Sequence, residues 1–231
     1  MIIQNECVQI GCVCADFSQV MDNFDACINP LECVGIAHHE GIKHLEGVEV
    51  LSGFDNSYRL VNSFLSSRFD MDASEFLPFA RIGGNLMEVV HEGIHHYTRM
   101  IENANGPEKE VLENLQSILL TVTSQIDFEK ELSGLVISVL GMVGLAHQEV
   151  LKLLGLIAIS KFAVMYMDAN SPSNFFGESL VTRLERSFWA DLAGFELGFV
   201  DSVAFNNDGG ASNPISSGLA TAILVSNETR A

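Results

Sequence analysis

Between Leu132 and Ala146 the chain runs fifteen residues without a charge, and Leu153 to Met167 follows with Lys161 as its one charged residue. A bilayer span needs about 20 mainly apolar residues, so each run is short for that role. Two buried core helices are the expected outcome, and a membrane-associated hairpin is the rival. Gly134, Gly141 and Gly144 would permit tight helix contacts in either setting. With 231 residues, 48% of them hydrophobic and 18% charged, the chain can bury a large core and is globular rather than disordered.

A formal net charge of -18 excludes a polyanionic partner, because nucleic-acid binders need clustered Lys and Arg to displace counterions. A peptide or protein substrate would be neutral or basic. Cys7, Cys12, Cys14, Cys27 and Cys33 all fall in the first 33 residues, an odd number with no C-x-x-C pair. That pattern gives neither a disulfide framework nor a zinc knuckle, so free thiols are expected. Met1 to Glu6 has no basic region and no continuous apolar run, unlike a signal peptide. These features point to a reducing cytoplasm.

Residues 1 to 82 mix short β-like runs, Cys7 to Cys14 and Val48 to Leu51, with a helix over Ser57 to Phe69 and a helix start at Asp72-Ala73-Ser74-Glu75. Around His38, His39 and His44 the periodicity is poor, and the stretch is expected to be a loop leading to the strand at Val48. From position 83 onward the pattern is helical. Pro107 suits the first turn of a helix running to about Phe128. His147 marks a helix end, Asn206 to Gly218 a loop, and Leu219 to Val225 a final short element.

Within this helical part lies His91-Glu92-Gly93-Ile94-His95, on a helix expected from Asn85 to Asn105. Asn85 and Glu88 have the spacing of a capping box, and Leu86, Val90, Ile94, Tyr97 and Ile101 form an apolar stripe. His91 and His95 are four apart, so both imidazoles can reach one zinc from one helix face. Glu92 projects to the side, where a carboxylate can take a proton from a metal-bound water. Gly93 costs about 1 kcal/mol in a helix interior relative to Ala, which suggests close approach of a strand or of the substrate backbone.

The segment Asn85 to Glu102 resembles the active-site helix of the zincin metallopeptidases. That resemblance implies zinc held by His91 and His95, Glu92 as general base, and hydrolysis of a peptide bond by the zinc-activated water. Tyr97 is a candidate to help hold the oxyanion. The metzincin extension is absent, since position 101 is Ile. Gluzincin-like families carry a Glu ligand four residues before the Asp of an Ala-Asp pair. Here Ala190-Asp191 and Gly194 are similar to that pattern, while the position four before Asp191 is Ser187. Asp191 and Glu185 are therefore alternatives for the third ligand. They lie on opposite flanks of a helix whose stripe is Val181, Leu184, Phe188, Leu192, Phe195 and Phe199. Glu178, Glu196 and His147 come next. The fold expected is α+β and mostly helical: a zincin-like two-lobed domain with a mixed lobe at 1–82 and a helical lobe at 83–231. The rivals are a non-enzymatic helical interaction protein and a membrane-associated helical protein.

Overall fold

The structure, a computed structural model, describes residues 29–46, 54–170 and 186–230. Its helices are α1 (Glu32–Glu46), α2 (Phe54–Phe69), α3 (Phe79–Asn103), α4 (Gly106–Thr121), α5 (Gln125–Gly141), α6 (His147–Asn170), α7 (Arg186–Asn207) and α8 (Pro214–Arg230), with a 3₁₀ turn at Ala73–Glu75. No strand occurs among the described residues, so the expected α+β architecture with a mixed N-terminal lobe gives way to a helical bundle. The β-like runs at 7–14 and 48–51 lie outside the described residues.

The stretch around His38 is helical, not a loop. Its buried residues are Cys33, Val34, Gly35, Ala37, His38, Gly41, Ile42 and Leu45, and the glycines and the histidine among them blur the apolar period. The small residues are what the packing needs. A Cβ on Gly35 would stand 2.4 Å from the Ala158 carbonyl oxygen, so only glycine lets α1 lie this close to α6.

The inside of the bundle is the antiparallel hairpin α7–α8. Every residue from Ile215 to Ser226 is buried, and from Ser187 to Phe199 only Glu196 is partly exposed. A helix enclosed on all sides needs no polar face, which explains why its sequence shows little amphipathic period. Close approach depends on glycine again: a Cβ on Gly198 would lie 2.5 Å from the Ser217 carbonyl oxygen. The buried hydroxyl of Thr221 is satisfied within its own helix, its Oγ1 donating to the Ser217 carbonyl at 2.8 Å. The hairpin turns at Gly209, whose φ of 86° is the left-handed conformation that glycine adopts without strain. Asn213 Oδ1 then caps α8, accepting from Ile215 N at 3.0 Å.

Around the hairpin lie α1, α2, α3 and α6, with α4 and α5 outside them. One continuous apolar core runs from Leu31 to Val225, so residues on both sides of position 82 share it. Within α6, the segment His147–Met167 is the one stretch among the described residues long and apolar enough to cross a membrane, and most of it is buried in the bundle. Its Lys161 pairs with Glu32 of α1. The other uncharged run divides in two. Leu132, Leu135, Val136 and Val139 of α5 face the core, whereas Ile137 and Leu140 are exposed.

Candidate functional site

The HEGIH segment sits in the middle of α3, which starts at Phe79 rather than at Asn85 and is bent at Glu92 (φ −131°, ψ 32°). Its buried face consists of Leu86, Val89, Val90, Gly93, Tyr97, Met100 and Ile101. Ile94, expected in that stripe, is 48% exposed. Gly93 takes the inward position instead, because α7 crosses there. A Cβ on residue 93 would stand 2.7 Å from Ala190 N and 2.8 Å from Trp189 C, both backbone atoms. The glycine thus permits close approach, but of another helix.

His91, Glu92 and His95 are all exposed. Each histidine is two residues from Gly93, about 200° around a helix, so both look away from the α7 contact. Asp191 is adjacent to Ala190 on α7 and fully buried. Its Oδ2 lies 3.7 Å from Nε2 of His38, itself fully buried on α1. The structure therefore brings His91 and His95 to one solvent-facing side and places Asp191 in the core with a different histidine. Asp191 does not lie on a flank open to solvent: α7 packs against α3, α6 and α8, and His38 of α1 lies beside the carboxyl. Glu185 and Glu178 lie outside the described residues.

Two further site expectations find their positions. Tyr97 is fully buried, its ring 5.3 Å from that of Trp189, and its hydroxyl donates to the Leu112 carbonyl at 3.3 Å. Burial pushes the phenol well above its ordinary range, and the group is turned away from the exposed histidines. His147 opens α6 and is exposed, as a helix-end residue.

Sequence reasoning missed His96. It follows Gly93 by three residues, so it shares the α7-facing side, and its Nε2 lies 2.9 Å from Glu196 Oε2. The glycine's spacing to His96 was the available signal. Beyond this pair, Asp201 has its carboxyl held above the usual range, first by burial and then by the negative charge of Glu196, with Arg81 opposing. A raised carboxyl pKa means that the folded state prefers the protonated form. The stability from this group is full below the unfolded pKa and is lost as pH rises through the folded value. Asp201→Asn is accordingly expected to raise the melting temperature near neutral pH and leave it unchanged near pH 3. Thermal melts at the two pH values check this, and equal shifts at both contradict it.

Among the described residues no group of three or more His, Cys, Asp or Glu is positioned to hold a metal ion. A catalytic zinc needs three protein ligands and one open position. His91 and His95 supply two, Asp191 is placed against His38, and Glu196 against His96. The described donors do not fit the zincin set. No family model, curated protein or solved structure matches the chain.

Proposed function

We propose that this chain is a non-enzymatic helical interaction protein whose working surface is the exposed side of α5. One observation carries this: Ile137 is 62% exposed and Val143 93% exposed, with Leu140 between them, within the uncharged run Leu132 to Ala146. Scattered apolar residues are ordinary on a surface, whereas a continuous apolar patch marks a contact site. The inner half of α5 already supplies its share of core, so fold stability does not require the outer half to be apolar. The HEGIH segment in this reading is a packing element that seats α3 on α7.

Hydroxyl-radical footprinting tests the role. Ile137, Leu140 and Val143 are expected to be shielded when the chain stands in cell extract, relative to dilute purified chain. Equal labelling in both conditions overturns the reading.

A second reading, the zinc metallopeptidase, is favoured by the common exposure of His91, Glu92 and His95 on α3. With Asp191 placed against His38, this reading requires a third ligand from outside the described residues, Glu185 first. It makes a sharp demand on Glu92: on any peptide that the wild type cleaves, Glu92→Gln lowers turnover roughly 10²–10⁴-fold while the bound metal is retained. Turnover equal to the wild type removes Glu92 from any mechanism.

A further inference from the structure

We infer that the exposed side of α5 and the groove beside it receive a cationic amphipathic helix of another protein; the inference rests on the interaction role proposed above. The groove lies between α4 and α5, has a volume of about 650 Å³, and is lined by the apolar Ile118, Val122 and Leu135. Two carboxylates of α5, Asp127 and Glu131, line it as well. Among its described lining residues there is no lysine or arginine.

Position on α5 joins this acidic groove to the apolar surface. Asp127 and Glu131 are four residues apart, so they stand one turn from each other on the same flank of the helix. At about 100° per residue, Ile137 lies between that flank and Leu140, and Ile126, itself 80% exposed, lies three turns before Ile137 on the same line. A helix seated along the groove therefore covers Ile137 with its apolar side while its polar flank meets the two carboxylates.

Charge sets the sign of the occupant. Ser124 Oγ donates to Asp127 Oδ2 at 2.6 Å, yet among the described residues no cation is paired with Asp127 or Glu131. Across α4 and α5 six acidic residues stand against Lys109 and Lys130, and neither lysine lines the groove. With a net charge of -18, the chain repels a second copy, a nucleic acid and an anionic lipid surface from this side. A cationic partner is drawn in and finds two carboxylates that lack a counter-charge.

Shape selects a helix. The flank from Asp127 to Ser138 runs about 16 Å along the axis, the length of three helical turns. Basic residues one turn apart on the partner match the spacing of Asp127 and Glu131, and its apolar positions then fall along Ile137, as when an amphipathic helix lies in a groove.

The test titrates the full chain into a fluorescent lysine–leucine helical peptide about five turns long, at physiological salt. The peptide is expected to bind and to shield Ile137, Leu140 and Val143 from hydroxyl radicals. Glu131→Lys and Ile137→Ser should each weaken it at least roughly tenfold, the first by opposing like charges and the second by removing apolar contact. Asp55→Lys on α2, which packs on α1 and α8, alters the total charge as much as Glu131→Lys and should change the affinity less than about twofold. Glu131 and Ile137 are exposed, so circular dichroism should not change in their variants.

No binding of this peptide overturns the inference. So does equal weakening by Glu131→Lys and Asp55→Lys, which is attraction to the net charge and not to the groove, or equal affinity for the glutamate–leucine counterpart. Sedimentation at twice 25.2 kDa without peptide, lost in Ile137→Ser, shows a second copy on this face, and flotation with phosphatidylcholine vesicles shows a bilayer; either overturns the inference. Shielding in extract without binding of the cationic peptide means that the partner chemistry is wrong and the interaction role stands. Absence of shielding in extract removes the interaction role itself.

Discussion

Asp191→Ala is expected to destabilise the fold by about 1–3 kcal/mol, the cost of leaving the buried polar ring of His38 without the carboxyl that it faces. Asp191 and His38 are both fully buried, with Oδ2 and Nε2 3.7 Å apart. The loss should be visible in chemical denaturation as a lower midpoint with an unchanged slope. Replacing both partners, as in His38→Leu with Asp191→Leu, should recover much of the loss, since an apolar pair of similar volume needs no compensation. If Asp191→Ala melts like the wild type, the pair does not hold α1 to α7.

Gly93→Val should cost about 3 kcal/mol, at the upper end for overpacking a filled interior, and lower the melting temperature by roughly 6–12 °C. The reason is the identity of the obstructing atoms. Ala190 N and Trp189 C belong to the α7 backbone, and α7 is enclosed by the rest of the bundle, so neither can step aside. A gain in helix propensity of up to about 1 kcal/mol on leaving glycine opposes this without reversing it for alanine, and valine gains less. Unchanged thermal stability in Gly93→Val would mean that α3 and α7 are not in backbone contact at this point.

The sequence was most informative where local chemistry decides structure. Asp72 and Glu75 form the capping box that their spacing announced, with Ser74 N donating to Asp72 Oδ1 at 2.8 Å and Asp72 N to Glu75 Oε1 at 3.2 Å. Pro107 lies in the first turn of α4, and Ser57 to Phe69 is helical within α2. Where tertiary contact decides, the same reasoning failed. The period of α1 is blurred because Gly35, Ala37, His38 and Gly41 share its buried positions with Val34, Ile42 and Leu45, and the glycines serve closeness rather than bulk.

For the candidate site the failure has one origin. An apolar stripe through Ile94 assumes that the larger side chain turns inward, yet a helix crossing at backbone distance selects the glycine beside it. A flank position for Asp191 follows only if α7 is a surface helix with one buried side. Once α7 is enclosed by α3, α6 and α8, its polar residues become core residues, and Asp191 is found with His38 of α1 instead of His91 or His95.

Whether the HEGIH helix is a packing element or a metal centre is the question on which everything else depends. Elemental analysis of the full chain, purified without chelator and dialysed against metal-free buffer, answers it most directly. The account predicts far less than one zinc per chain, with the same trace content in His91→Ala and His95→Ala. One zinc per chain in the wild type, lost in both variants, would contradict it and restore the metallopeptidase.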